Sequence, residues 1–145
     1  MTRVDFYLLQ NADPAEKPRL ACKLAEKAFQ RGLHTYIYTA DANASTALDD
    51  LLWLYAPGSF VPHARHDDSA PAIAADDAPV LIGHTPPPEP LHQLLISLAP
   101  SVPEFFSRFE RLIEVVANDD DDKARSRERF RFYRDRGYPL QTHNV

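Results

Sequence analysis

Lys123, Arg127, Phe130 and Arg134 fall at i, i+4, i+7 and i+11. On a helix that spacing gathers four side chains on one face. A guanidinium matches a carboxylate in a two-point geometry, an ammonium attracts it as a point charge, and an aromatic ring offers an apolar wall. Together they suit an acidic peptide with an apolar tip, above all a chain terminus bearing a free carboxylate. A plainer reading covers the same residues: a solvated basic face, with Phe130, Phe132 and Tyr133 packed inward. Spacing alone leaves both open.

Trp53 and Phe60 form a second candidate set. Trp53 lies off the line through Leu48, Leu51 and Leu52, and Phe60 stands in the middle of the turn Pro57-Gly58-Ser59-Phe60-Val61-Pro62-His63. Two large aromatics near a loop suit a surface anchor for another protein. Equally, both can fold inward and cover a core edge.

The element that must hold the basic set runs from Asp119 to Tyr138, DDDDKARSRERFRFYRDRGY. Its charge order is that of a helix: carboxylates at the positive end of the dipole, cations towards the other end, then Gly137 as the residue that ends it. Lys123 to Arg136 contains seven basic and two acidic side chains, a local +5 on a chain of net charge −5, so the remainder carries −10. One helix presents positive charge on an otherwise acidic molecule, and no second basic stripe is visible.

Composition narrows the function class. The 145 residues fit a single domain, and 44% hydrophobic with 26% charged residues is ordinary for a soluble globular protein. No stretch approaches the roughly 18 apolar residues of a membrane span, and MTRVDFYLL lacks the longer apolar run of a signal peptide. A cytoplasmic location is expected, with no membrane contact. The single Cys22 supports neither an internal disulfide nor a cysteine-rich zinc site, and it reads as a small core or boundary residue. Glycines stand only at 32, 58, 83 and 137, too far apart for a nucleotide phosphate cradle. His63, His66, Asp67 and Asp68 match no compact metal motif, and no cofactor is expected.

The remaining chain supplies the frame. VDFYLL at 4–9 suits a buried strand. Pro18 fits the first turn of a helix whose apolar stripe runs through Leu20, Ala21, Leu24, Ala25, Ala28 and Phe29 to Gly32. HTYIYTA at 34–40 is a second strand, and Asp41 to Ser45 offers capping residues for a helix striped by Ala47, Leu48, Leu51, Leu52 and Tyr55. Strand and helix in alternation predict an α/β sheet with parallel neighbours. Residues 64 to 79 read as an acidic, proline-containing loop. VLIG at 80–83 and LLISL at 94–98 are further strands, separated by the stiff turn TPPPEP at 85–90. Ser101-Val102-Pro103-Glu104 fits a capping box, so a helix is expected to start there. Periodicity favours one helix through Val116, whereas the β-branched LIEVV allows a short helix and then a strand. Pro139 to Asn144 is a short tail or edge strand.

Taken together, the chain resembles the chi subunit of the bacterial DNA polymerase III holoenzyme, a clamp-loader accessory. The resemblance rests on DFYLL at 5–9, LDDLLW at 48–53, SFVPH at 59–63, PVLIG at 79–83 and LLISL at 94–98. It ends with the pattern K-x-x-x-R-x-x-F-x-x-Y-R-x-x-G from Lys123 to Gly137. It implies one non-enzymatic α/β domain over 1–145, with a mostly parallel central sheet flanked by helices, Rossmann-like without a phosphate-binding loop. It implies two protein partners. One is the psi subunit of the clamp-loader complex, facing Trp53 and Phe60, where a DNA helicase competes in some relatives. The other is the acidic C-terminal tail of single-stranded DNA-binding protein, facing Lys123, Arg127 and Phe130; Arg134, on the same helical face by spacing, would extend the positive rim. It also implies a short helix and then a strand across 102–116. Two features depart from the pattern: Phe130 stands where Tyr is expected, and the 64–78 loop is unusually acidic.

The leading expectation is therefore an adaptor that touches DNA only indirectly. The alternative is direct single-stranded nucleic-acid binding by the basic helix, with Phe130 and Tyr133 as stacking platforms. An enzyme is the remotest reading, because no nucleophile–base pair or phosphate loop is recognisable.

Overall fold

The computed structural model describes residues 1–54, 61–66 and 78–145. Its strands are β1 (Arg3–Leu8), β2 (Thr35–Tyr38), β3 (His63–His66), β4 (Val80–Gly83), β5 (Leu94–Ser97), β6 (Arg111–Val116) and β7 (Leu140–Asn144). Its α-helices among the described residues are α1 (Glu16–Gln30), α2 (Ala42–Leu54) and α3 (Asp120–Asp135). The strands form one sheet in the order β3-β4-β2-β5-β6-β1-β7, and every pair is parallel. The expected α/β class is thus realised in a fully parallel sheet.

Side-chain alternation along the strands splits the core between the two sheet faces. Ile37, Ile82, Ile96 and Ile113 face α1 and α2, where Ala21, Cys22, Ala25, Leu48 and Leu52 meet them. Val4, Phe6, Tyr36, Leu81, Leu95 and Leu112 face the other way, towards Phe106 and Phe109 ahead of β6 and Tyr133 of α3. Each fully buried side chain of this size stabilises the fold by about 1.5–3 kcal/mol. Cys22 is a core residue, as its place beside the α1 stripe predicts, and burial pushes its thiol up to about 12.

Local signals end and start the helices as expected. Pro18 lies in the first turn of α1. The Asp41 carboxylate accepts the Ala44 amide at 2.8 Å and caps α2. Gly137, at φ 80, follows α3 in the left-handed conformation that side chains resist. Gly83 answers a different need, since a Cβ there would collide with the Tyr36 hydroxyl and the His66 carbonyl.

Two readings change, and one open choice is settled. His63–His66, expected mostly as loop, is a strand: it pairs with β4 at the sheet edge, from His63↔Val80 to His66↔Gly83. The sequence HARH has no apolar alternation, so only that pairing defines it. No α-helix starts at Ser101; a single 3-10 turn, Phe106–Arg108, precedes β6. The Glu110 and Arg111 amides reach the His92 and Gln93 carbonyls at 2.8 and 3.1 Å, so extended pairing overrides helical periodicity. The short helix and strand implied by the resemblance is the arrangement found. Finally, the Pro139–Asn144 tail yields the edge strand β7, paired with β1.

Candidate functional site

Asp119 starts α3 by accepting the Asp122 amide at 3.0 Å, and the aspartates that follow sit at the positive end of the helix dipole. Asp122 itself is buried. Its carboxylate accepts the Ala117 amide at 2.7 Å and the Lys17 ammonium at 3.0 Å, which ties α3 to the end of β6 and to α1. Burial alone would raise its carboxyl, but the amide and the ammonium outweigh it and hold the group below its usual range.

The inward face of α3 repeats at Asp122, Ser126, Arg129 and Tyr133. Arg129 is 3% exposed. Its Nε lies 3.3 Å from a Glu114 oxygen, and its Nη1 donates to the Pro100 carbonyl at 2.7 Å. The Tyr133 hydroxyl donates to the other Glu114 oxygen at 2.7 Å. Burial dominates at Glu114 and raises its carboxyl despite the Arg129 charge, and burial next to that carboxylate also raises the Tyr133 phenol. One of the seven cations of the 123–136 stretch is therefore structural, and so is one of its aromatics. Tyr133 offers no face for stacking a base.

The outward residues divide as well. Lys123 and Arg127 are exposed, and among the described residues neither side chain is in an ion pair. Both line a cleft of about 290 Å³ floored by Leu8, Leu9, Val116 and Ala117. Its polar rim includes Gln10 and Asn118, linked by a 2.8 Å hydrogen bond from the Asn118 amide to the Gln10 carbonyl. The cleft opens where β1 and β6 end, so two parallel strands and the first turns of α3 build it. Phe130, one turn on, is half-buried with its ring edge-on to Phe6 at 5.4 Å. It packs with Leu8 against the same core but does not line the cleft. Arg134 is exposed and lies 3.2 Å from Asp135. The spacing of the four residues is as expected, but the apolar receptacle belongs to the sheet. Its floor escaped the sequence reading because Leu8 and Leu9 read simply as buried strand and Val116 as the end of a helix or strand.

Trp53 is 58% exposed near the end of α2, and Leu54 beside it is 76% exposed. The Trp53 indole packs against the His63 ring at 4.6 Å. His63 is held from behind: its Nδ1 lies 2.7 Å from the Val61 carbonyl and its Nε2 3.2 Å from Asp49 on α2. Phe60, the other expected aromatic, lies outside the described residues, as do Asp67 and Asp68. Leu54 was not singled out by spacing, since an apolar residue at a helix end reads as core. The α2 surface and the α3 surface lie on opposite faces of the sheet.

A second basic stripe also exists, against the expectation of one. Lys23, Lys27 and Arg31 step along α1 at i, i+4 and i+8 and line a cleft of about 370 Å³ with Arg111 and Tyr7. Arg111 is committed to the buried Asp5 at 2.7 Å, a contact that raises its guanidinium further despite partial burial.

Comparison with known proteins gives one family. The family model described as DNA polymerase III chi subunit, HolC, matches residues 1–141. The DNA polymerase III subunit chi of Pseudomonas aeruginosa is 39% identical over 145 residues, covering 100% of this chain and 98% of that protein. The protein of the same name from Escherichia coli is 30% identical over 147 residues, covering 98% and 97%. That of Haemophilus influenzae is 28% identical over 152 residues, covering 97% and 95%.

Proposed function

The chain belongs to the DNA polymerase III chi-subunit family, and from that premise we propose that it is a non-catalytic adaptor of the cytoplasmic replication machinery. It joins the clamp-loader complex, through the psi subunit, to the acidic C-terminal tail of single-stranded DNA-binding protein. The observation that carries the second half is the cleft at the start of α3. Two cations with no ion pair among the described residues stand over an apolar floor on a chain of net charge −5. Arg127 takes the terminal carboxylate in a two-point contact, and Lys123 attracts the preceding acids. Leu8, Leu9 and Val116 receive the apolar tip. Phe130 stiffens the floor from the core side rather than forming the wall itself, and Arg134 contributes only to the outer field. Trp53 and Phe60, with Leu54 added, form the psi-facing anchor, a surface for which a DNA helicase would compete.

Titrating a synthetic tail peptide by calorimetry tests the tail site. Arg127→Ala should lose at least tenfold in affinity, since a charge-assisted contact is worth about 1.5–3 kcal/mol. Arg127→Lys should recover only part of it. Affinity should fall as salt rises, because exposed charges are screened over about 8 Å at physiological ionic strength. Equal binding by wild type and Arg127→Ala would remove this cleft from the function.

A further inference from the structure

We propose that the α1 stripe is a second contact for an acidic peptide, engaged by the residues that precede the end held at Lys123 and Arg127. This rests on the tail-binding reading and extends it from a terminal pocket to a track.

Three clefts open in series. The α1 cleft shares Leu20, Lys23 and Val145 with a middle cleft. The middle cleft shares Leu9 and Gln10 with the α3 cleft. The series runs from Arg31 along α1, past the end of β1, to Arg127. Lys23, Lys27 and Arg31 are exposed, and among the described residues none of their side chains is in an ion pair. Glu16 also lines the middle cleft, where Arg19 pairs with it at 3.1 Å and with Asp13 at 3.7 Å. The positive charge is therefore concentrated at the two ends of the series.

The occupant follows from charge and from what the walls lack. The floor under the stripe is apolar, with Leu20, Leu24, Leu94 and Ile113. Nucleic acid would need exposed rings for its bases. The only ring among the residues lining the three clefts is Tyr7, half-buried and packed on His143 at 4.8 Å. An extended peptide with alternating acids and small apolar residues satisfies both cations and floor. From Lys23 to Arg31 the stripe spans roughly 12 Å at 1.5 Å per residue. That is about four residues of extended peptide.

Two synthetic peptides with free C-termini decide the matter: Asp-Asp-Asp-Leu, and the same sequence preceded by about eight residues of alternating Asp and Ala. Each is titrated at low salt against wild type and against the Lys23→Glu/Lys27→Glu double variant. The long peptide should bind wild type roughly 3–10-fold more tightly than the short one, the scale of two exposed charge contacts. The double variant should erase that advantage and leave the short peptide unchanged. Equal affinity of the two peptides for wild type overturns the α1 contact and leaves the α3 site standing. Loss of the short peptide in the double variant also overturns it, because the stripe is then no separate contact. No binding of either peptide overturns both readings. A thymidine oligonucleotide that alone loses affinity in the double variant assigns the stripe to nucleic acid instead.

Discussion

Arg127 differs from the other cations of α3 in what surrounds it. Arg129 is spent on Glu114, Arg134 leans on Asp135, and the Arg136 guanidinium lies over the Phe132 ring at 3.6 Å. Arg127 faces an apolar cleft with Lys123 beside it and no carboxylate in reach among the described residues. Asp122, one turn earlier on the helix, makes the cleft possible by fixing the start of α3. Because its folded carboxyl lies below the ordinary value, its contribution is present above the unfolded pKa, near 3.9. That contribution is lost as pH falls through the folded value. Asp122→Asn should therefore cost about 1–3 kcal/mol at neutral pH. The gap from wild type should close progressively below about pH 4 in urea unfolding followed by circular dichroism. A gap that stays constant down to acid pH would mean that the carboxylate charge does not hold the helix. Glu114 works with the opposite sign. Its raised carboxyl stabilises fully below its unfolded pKa and loses that contribution as pH rises through the folded value.

At the scale of elements, α3 is attached to the sheet by a buried polar triangle rather than by apolar ridges alone. Glu114, Arg129 and Tyr133 are all buried. Arg129→Ala leaves Glu114 facing Tyr133 alone inside the core and should cost about 3–5 kcal/mol. Adding Glu114→Gln should recover part of that loss, because the uncompensated carboxylate is then gone. Chemical denaturation of the single and double variants measures both. Additive losses would show that the two groups do not depend on each other.

The elements were legible in the sequence where local signals agree with tertiary ones. Asp41, Asp119 and Gly137 mark helix ends through capping and a left-handed φ, and all three act as expected. The sequence misled where pairing decides. Ser101 to Glu104 carries a capping pattern, yet the backbone that follows is drawn into register with β5. HARH becomes a strand only because β4 offers an edge. For the candidate site, spacing set Lys123, Arg127 and Arg134 on a face apart from Arg129, and all three are exposed; the local charge of +5, however, counted the buried Arg129 with them. Spacing could not supply the floor, since residues of β1 and β6 meet α3 only through the sheet order.

For the whole molecule, the proposed bridging role would use two candidate surfaces that lie on opposite faces of one sheet. A rigid parallel sheet between them predicts independence: occupancy of one surface should not alter the other. Trp53→Ala should weaken psi binding by about 2 kcal/mol or more, as buried interface aromatics do. Tail affinity should be unchanged, and so should the melting temperature, because the indole is largely exposed.

The most direct measurement is a tail-peptide titration of this protein alone and in complex with psi, with complex mass followed by light scattering. The account predicts a ternary complex in which tail affinity matches that of the free protein. It also predicts that Arg127→Ala releases only the tail and Trp53→Ala only psi. Competition between psi and the tail, or loss of both partners from either single substitution, would contradict the adaptor.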